Sequence, residues 1–226
     1  MLQRPGLDRG HRNRNRGISQ MTTAILGLGN MGKGLAKRLA GKTELVLGAS
    51  NVAAAADFAK SVGATVTDYK SAVAGADIVV LAVPYPVALE LVKTLELAGK
   101  TVVDMTNPVK ADFSGLAIGH TTSAAEELQA AAPAAKVVKG FNTIFASLFD
   151  TPASATAHVP VFLAGNDAAA VDAVAALVSA AGFAVEKVGG LDGARLVEPV
   201  GMLNIRFGYG LGQGTAIAPA WLKLAA

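Results

Sequence analysis

The chain has 226 residues, of which 52% are hydrophobic and 16% are charged, enough apolar side chains for a well-buried core. It contains no Cys, which excludes disulfides and thiolate chemistry. Its three His are far apart in sequence, which argues against a metal site. The formal net charge is +3, and residues 1–20 hold five Arg and one Asp, a net +4, which leaves −1 for residues 21–226.

Residues 1–20 are predicted to form a disordered basic leader. A basic arm could touch nucleic acid or a membrane surface, but the strand pattern that begins directly after Met21 favours a leader, or an upstream start with Met21 as the natural first residue. The leader lacks the apolar segment of a secretory signal, and apolar runs such as Ile78–Pro84 are too short to span a bilayer. We therefore expect a cytoplasmic protein that binds neither nucleic acid nor membrane.

Short apolar runs alternate along the rest of the chain with longer Ala-rich segments. The predicted strands are Thr23–Leu28, Glu44–Gly48, Ala64–Thr67, Asp77–Val83, Lys100–Met105, Lys136–Gly140, Val159–Ala164 and Phe183–Val188. Helical periodicity covers Met31–Ala40, Val52–Val62, Pro86–Ala98, Ser123–Ala132 and Asp167–Ala181, with Ser123 and Asp167 as N-caps of the last two. Continuous apolar runs such as DIVVLAV are typical of strands buried on both faces. The alternation predicts one Rossmann-type, doubly wound α/β domain over residues 21–226, with a mostly parallel sheet.

A short C-terminal helical extension is predicted from about residue 190, followed by Gly-rich coil. Arg195 and Glu198 have the spacing of a pair on one helix face, and Pro199 is expected to kink or restart that helix. The segment Met202–Gly214 combines Arg206 with aromatic residues and several glycines. Two roles are open for it: a roof over an acceptor cavity, or a dimerisation surface.

A glycine-rich turn lies between the first predicted strand and the first helix. It has the G-x-G-x-x-G pattern of dinucleotide-binding proteins, in the residues Gly27, Leu28, Gly29, Asn30, Met31 and Gly32. Gly27 would allow the tight turn, Gly29 the approach of a pyrophosphate, and Gly32 the packing of the helix on the strand. Asn30 is expected to cap the helix, whose free N–H groups would hold the diphosphate. A turn that binds nothing is the alternative, which the position after the first strand disfavours.

The second predicted strand ends without a carboxylate. Ser50 and Asn51 lie where an acidic residue would accept a hydrogen bond from the ribose 2′-OH of NAD and repel the 2′-phosphate of NADP. These neutral side chains favour NADP(H), although they could equally cap the helix that follows. No Arg is present there to clamp the phosphate with two hydrogen bonds.

Several further segments, taken in their order and spacing over residues 22–212, resemble the F420-dependent NADP oxidoreductase family and the NADPH-binding domain of the STEAP metalloreductases. The matching segments are Gly27–Gly34, Ala82–Tyr85, Val102–Pro108, Lys139–Thr143, Ala164–Asp167 and Ala194–Glu198. In the F420-using members the position of Asn51 is typically Arg. Asn142 replaces a His of the archaeal members and matches the bacterial and STEAP-like ones.

The resemblance implies NADP(H) as cofactor, F420 or a flavin as a small-molecule hydride acceptor, and a homodimer. It also implies the remaining cofactor-binding positions. These are Ala82, Val83 and Pro84 on the adenosine and ribose side, Asn107 and Pro108 near the nicotinamide ribose, and Phe141, Asn142, Thr143 and Ala146 at the nicotinamide ring and the acceptor site.

No catalytic residue is predicted. Hydride transfer between nicotinamide and a flavin or deazaflavin needs two stacked rings, and solvent can balance the proton, so the protein contributes binding and orientation. The predicted function is an NADPH-dependent oxidoreductase that passes hydride between the nicotinamide and such an acceptor. The alternative is a catalytically silent NADP(H)-binding redox sensor or partner-binding protein. β-Hydroxyacid dehydrogenases and imine reductases open with a similar turn but need a large second helical domain, which the segment after the last predicted strand is too short to form.

Two further polar residues each have two interpretations. Asp104, at the end of a predicted strand, would either orient a ribose or bond the backbone of the turn at Thr106. His120 would lie either near the acceptor or in a solvated loop, and the second interpretation is favoured.

Overall fold

The computed structural model describes residues 17–222, and residues 1–16 of the predicted leader lie outside that range. Ile18–Gln20 form a short 3-10 turn ahead of the first strand. None of the helices within residues 17–222 is both long enough and apolar enough to cross a bilayer.

Eight strands of the described residues form one sheet in the order β3-β2-β1-β4-β5-β6-β7-β8. They are β1 Thr22–Leu26, β2 Glu44–Gly48, β3 Thr65–Thr67, β4 Ile78–Leu81, β5 Thr101–Asp104, β6 Lys136–Lys139, β7 Pro160–Gly165 and β8 Ala184–Lys187. Strands β1 to β6 are parallel, β7 is antiparallel to β6, and β8 is parallel to β7. The predicted Rossmann-type, mostly parallel sheet is confirmed. The strand order reverses between β1 and β4, and ligands of open α/β sheets bind at the carboxyl ends beside such a reversal.

Helices cover both faces of this sheet. They are α1 Asn30–Leu39, α2 Val52–Ser61, α3 Tyr69–Ala74, α4 Tyr85–Thr94, α5 Ala124–Ala131, α6 Ala153–Thr156, α7 Ala168–Ala180 and α8 Ala194–Ile205. In β1, Ile25 packs into the layer with α1 and α7, whereas Ala24 and Leu26 pack into the layer with α3, α4 and α5. The alternation explains why the central strands are apolar throughout: each successive side chain enters one of two buried layers.

The predicted caps of α5 and α7 are confirmed. Ser123 Oγ accepts a hydrogen bond from the N–H of Glu126 at 3.2 Å, and Asp167 Oδ1 accepts one from Ala170 at 2.8 Å. The predicted cap at Asn30 is wrong. Helix α1 begins at Asn30 itself, Gly29 occupies the capping position, and no side chain caps it. The first turn of α1 therefore depends on something other than a side chain to receive its N–H groups.

Two expectations for the C-terminal extension are wrong. Helix α8 does not restart at Pro199 but runs from Ala194 to Ile205 with Pro199 inside it, and a π-helical turn, Arg206–Gly210, continues it. Arg195 does not pair with Glu198, because Glu198 is buried and Arg195 binds Glu126 of α5 instead, with its Nε 2.8 Å from Oε2. Helix α8 is thus continuous at a proline, a position where its own sequence favours a break.

Candidate functional site

The turn between β1 and α1 lies beside the reversal of strand order, and its three motif glycines have different surroundings. Gly27 has a φ of +95°, and a Cβ there would lie 2.6 Å from the carbonyl oxygen of Ala82 and 2.5 Å from Val83 Cγ1. A Cβ on Gly32 would lie 2.0 Å from the carbonyl oxygen of Gly27. A Cβ on Gly29 would meet nothing within 4 Å. At Gly27 and Gly32 the turn therefore packs tightly on its own backbone and on the residues that follow β4. At Gly29 it leaves an open space at the N-terminus of α1, which we call the cradle.

This cradle fits a diphosphate. The first N–H groups of α1 have no side-chain cap, and the positive end of the helix dipole favours an anion there. The other predicted positions of the turn surround it: Asn30 is exposed, whereas Leu28 and Met31 are half-buried.

A second feature is a cavity of about 280 Å³ between this turn and the start of α2. Its lining residues are Leu28, Lys33, Ala49, Ser50, Asn51, Ala54, Ala55 and Tyr69. Asn51 Oδ1 accepts a hydrogen bond from the N–H of Ala54 at 3.1 Å, so the interpretation of Asn51 as a helix cap is confirmed. Lys33 and Tyr69 were not predicted to line this site. Lys33 lies within the matching segment Gly27–Gly34 but was given no role there, and only the fold brings the two residues to Ser50.

The ends of β5 and β6 bring two predicted residues into direct contact. Asn107 Nδ2 donates to the carbonyl oxygen of Asn142 at 2.8 Å, and Asn142 Nδ2 donates to Asn107 Oδ1 at 3.0 Å and to the carbonyl oxygen of Val197 at 3.1 Å. Helix α8 packs on this pair at Gly201, where a Cβ would lie 2.7 Å from Asn107 Oδ1. Glycine at this position allows α8 to close over the pair.

Buried oxygens without partners gather at the same place. Within residues 17–222, the buried side-chain atoms that lack a hydrogen-bond partner are Thr106 Oγ1, Asn142 Oδ1 and Thr143 Oγ1. Buried polar atoms are normally bonded, and each exception needs an explanation, such as a functional role. The unpartnered hydroxyl of Thr106 was not predicted from the sequence, because the local pattern of a turn does not show whether a Thr side chain is buried without a hydrogen-bond partner. The Thr143 carbonyl accepts from Asn204 Nδ2 of α8 at 3.0 Å, which fixes the backbone there.

The remaining residues assigned by the resemblance lie close by. Pro108 is buried, and Ala146 is half-buried at the start of the 3-10 turn Ala146–Phe149. Phe141 is fully buried in the core, 6.2 Å from the ring of Phe149 between ring centres. Its φ of +63° is unusual for a side chain of this size and costs on the order of 1–3 kcal/mol. The strained residue lies directly before Asn142, in the segment that contacts α8.

A fully buried group of charges lies beneath this segment. Lys139 Nζ is 2.8 Å from Asp104 Oδ2 and 2.8 Å from Glu198 Oε1, and it donates to the carbonyl oxygen of Thr106 at 2.6 Å. Asp104 Oδ1 accepts from the N–H of Thr106 at 2.8 Å, so the interpretation that Asp104 bonds the Thr106 turn is confirmed. Burial raises the pKa of Glu198, while Lys139 and the N–H of Ala124 oppose that rise. The group joins β5, β6, α5 and α8.

Two cavities lie along α8. The larger, about 780 Å³, is lined by Phe113, Ser114, Met202, Ile205, Arg206, Tyr209, Gly210 and Leu211. The smaller, about 470 Å³, is lined by Leu116, Ala117, Ile118, Gly119, His120, Pro199 and Met202. Met202, which both cavities share, directly follows the Gly201 that contacts the Asn pair. The larger volume is within the range of small-molecule sites, which are commonly about 300–1,000 Å³. Among residues 17–222 no three His, Asp or Glu side chains are grouped to hold a metal ion.

Comparison with known proteins agrees with this geometry. Residues 22–108 match the family described as NADP oxidoreductase, coenzyme F420-dependent. A candidate F420-dependent NADP-reductase from Arthrobacter sp. FB24 is 31% identical, with a TM-score of 0.76 over 86% of this chain and 96% of that one. The chain belongs to the F420-dependent NADP oxidoreductase family. It is therefore an NAD(P)-dependent oxidoreductase with NADP(H) as its cofactor.

Other similar structures extend the comparison. A hypothetical protein from Sinorhizobium meliloti is 31% identical, with a TM-score of 0.69 over 78% of this chain and 88% of that one. An imine reductase from Aspergillus terreus in complex with NADPH4 shares the fold at 18% identity, with a TM-score of 0.62 over 86% of this chain and 64% of its own. No curated protein sequence matches this chain.

Proposed function

We propose that this family member transfers hydride between NADP(H) and a flavin or deazaflavin acceptor, with F420 as the first candidate. The observation that carries the proposal is the spatial order of three features along one edge of the sheet. The open cradle follows β1, the Asn107–Asn142 pair follows β5 and β6, and α8, which packs on that pair, lines the larger cavity. A dinucleotide seated along this edge would end beside a cavity large enough for a second ring system.

Most of the predicted residues would have a role in this arrangement. The N–H groups after Gly29 would hold the diphosphate, with Ala82, Val83 and Pro84 beside them on the adenosine and ribose side. Asn107, Pro108, Asn142, Thr143 and Ala146 would bind the nicotinamide end, where the unpartnered oxygens of Asn142 and Thr143 would gain hydrogen bonds. Ser50 and Asn51 would face the adenosine ribose. Bound NADPH supplies a hydride at its nicotinamide ring.

The protein's contribution is orientation. The Asn107–Asn142 pair and the buried charges beneath it fix the ends of β5 and β6 and the position of α8. Fixing two reactants in a productive geometry removes much of the entropic barrier of a reaction between two molecules, and no proton donor is required. The exposed Arg206 side chain at the larger cavity is the group that would attract an acceptor with a phosphate.

This proposal is tested by mixing the protein and NADPH with F420, FMN, FAD or riboflavin and following the nicotinamide absorbance. We expect turnover with at least one phosphate-bearing acceptor and slower oxidation by riboflavin, which has no phosphate for Arg206 to attract. If NADPH binds but none of the four acceptors oxidises it, the proposal is wrong and a redox-sensing or partner-binding role takes its place.

We further propose that the protein acts as a homodimer. The support is an exposed apolar stripe on α8 and the turn after it, formed by Leu196, Leu203 and Phe207. These residues are spaced by seven and four positions and so lie on one side of the helix. Leu196 is 73% exposed and Leu203 is 51% exposed, a surface that a second copy of the chain could cover.

A further inference from the structure

The cavity between the first turn of α1 and the start of α2 holds one charged side chain among the described residues that line it, that of Lys33. Strands β1 and β2 are parallel neighbours, and their last residues, Leu26 and Gly48, are partners in register. The segments that follow them therefore form the two walls of the cavity. In a dinucleotide fold, the segment after β2 contacts the 2′ position of the adenosine ribose. Lys33 thus lies on the opposite wall of the space that distinguishes NADP from NAD.

The Lys33 cation is held at the cavity without being neutralised. Its Nζ lies 5.5 Å from the centre of the Phe58 ring of α2, a contact that attracts the cation and leaves its N–H groups free for other partners. Among the described side chains, no carboxylate forms an ion pair with Lys33. Lys37, one turn further along α1, differs in this respect, because its Nζ pairs with Asp150 at 2.9 Å.

The other groups of the cavity also suit an anion. Ser50 offers a hydroxyl, and the amino end of α2, a helix of ten residues, adds the positive end of its dipole. No Asp or Glu is among the lining residues. The carboxylate next to Tyr69, that of Asp68, is engaged with the N–H of Ser71 at 3.0 Å and its Oγ at 2.7 Å.

We propose that Lys33 determines the preference for NADP(H) over NAD(H), by pairing its ammonium with the 2′-phosphate beside Ser50. The inference rests on the proposed seating of the cofactor along the Gly27–Gly32 turn and adds the residue that selects it. No Arg follows Ser50, so the phosphate receives its cationic partner from α1 across the cavity. Phe58 is a positioning residue, since it holds the Lys33 side chain at the cavity edge.

The test compares Lys33→Gln with Lys37→Gln, a matched control on the same helix whose cation is already paired. The dissociation constants of NADPH and NADH are measured by calorimetry, together with those of adenosine 2′,5′-bisphosphate and 5′-AMP, which differ by the 2′-phosphate. We expect Lys33→Gln to weaken binding of NADPH and of the bisphosphate roughly tenfold or more, the size of one lost charge-assisted hydrogen bond. Binding of NADH and 5′-AMP should be unchanged, Lys37→Gln should resemble the wild type, and Lys33→Arg should retain the preference.

The outcomes separate this inference from the function on which it rests. If the wild type prefers NADPH and Lys33→Gln keeps that preference, the inference is overturned while the cofactor and the proposed function stand. An equal loss of NADPH and NADH binding also overturns it, because the side chain would then support the fold of the cavity and not the phosphate. If the wild type binds neither nucleotide, the proposed function fails with it.

Discussion

Gly29 and Gly32 lie three residues apart in one turn, yet the structure has room for a side chain at Gly29 only. Gly29 has a φ of −73° and a ψ of −170°, a conformation open to any residue, and nothing lies within 4 Å of its Cβ position. At Gly32 the Cβ would overlap the carbonyl oxygen of Gly27 at 2.0 Å. The folded chain therefore requires glycine at position 32, whereas only a ligand would require it at position 29.

The substitution Gly29→Val separates these two requirements. We expect the variant to unfold at the temperature of the wild type and to bind NADPH roughly tenfold more weakly or worse, a loss of about 1.4 kcal/mol or more, because the isopropyl group fills the cradle. Binding is measured by nicotinamide fluorescence and stability by circular dichroism. The control is Gly75→Val, at an exposed glycine with nothing within 4 Å of its Cβ position. Unchanged NADPH binding in Gly29→Val would show that the diphosphate does not lie in this turn.

Single residues were predictable from the sequence where their partners are near in the chain. The glycine-rich turn and the caps at Ser123 and Asp167 depend on contacts within a few residues, so local spacing is sufficient. The cap at Asn30 was mispredicted because Gly29 takes that position itself. Lys33 and Thr106 gain their importance from side chains on other strands and helices, which spacing along the chain does not report.

Helix α8 is held in place by a buried carboxylate, that of its own residue Glu198. Glu198 accepts from the N–H groups of Ala124 and Ala125 at 3.0 and 3.3 Å and pairs with Lys139. The fully buried Lys139 also neutralises Asp104, so one cation serves two carboxylates. Spacing along α8 predicted Arg195 as the partner of Glu198, since i and i+3 positions are neighbours, but the inward direction of Glu198 is fixed by the sheet.

The substitution Lys139→Met tests this role. It leaves two buried carboxylates without a cation, and we expect it to lower the free energy of unfolding by about 3–5 kcal/mol. Lys136→Met is the matched control on the same strand, because the Lys136–Asp167 pair is roughly two-fifths exposed and should contribute about 1 kcal/mol or less. Urea unfolding of the two variants gives both values. Equal effects in the two variants would contradict the assigned role of the buried group.

The loss of unfolding free energy in Lys139→Met should depend on pH. Burial already raises the pKa of Glu198 above its ordinary 4.5, and the variant lacks the cation that opposes this rise. The folded variant then takes up a proton at a higher pH than the unfolded chain, so its stability falls as pH rises from 4.5 through the pKa of the folded state. We expect the deficit relative to the wild type to shrink as pH is lowered from 7 towards 4.5. A deficit that grows over that interval would contradict this assignment.

Most whole elements were predicted well. All eight strands and the helices α1, α2, α4, α5 and α7 were predicted within a few residues of their observed bounds, whereas for α8 only a start near residue 190 was predicted. Helices α3 and α6 were missed because six and four residues are too few to express a period of 3.6. The antiparallel direction of β7 was not specified by the sequence, since its pattern of six consecutive apolar or small residues is the same in either direction.

At the scale of the whole molecule, the strand order of the sheet brings together residues that no single sequence motif contains. Placing β1, β4, β5 and β6 side by side brings the glycine-rich turn, Ala82, Asn107 and Asn142 to one edge in that order. These residues are separated by up to about half the chain in sequence, and the resemblance to a family predicted their roles where spacing alone could not. The proposed dinucleotide site therefore depends on the topology of the sheet.

The apolar stripe on α8 gives the proposed dimer a direct test. We expect Leu203→Glu to convert a dimer into a monomer, because burying an unpaired carboxylate in an apolar interface is costly. Sedimentation of the wild type and the variant measures the change. Val87→Glu, at a 42% exposed position of α4, is the control and should leave the dimer intact. A wild type that sediments as a monomer, or a Leu203→Glu variant that still dimerises, would contradict an interface on this stripe.

Direct hydride transfer from the bound nicotinamide is the central claim, and a single-turnover experiment with deuterated NADPH tests it most directly. NADPH carrying deuterium at the transferring carbon is mixed with excess protein and F420, and the reduced acceptor is analysed by mass spectrometry. The account predicts that oxidation is slower than with ordinary NADPH and that the reduced acceptor contains one deuterium atom. NADPH that is bound without being oxidised would contradict F420 as the acceptor, and NADPH that is oxidised with its deuterium appearing only in water would contradict direct hydride transfer.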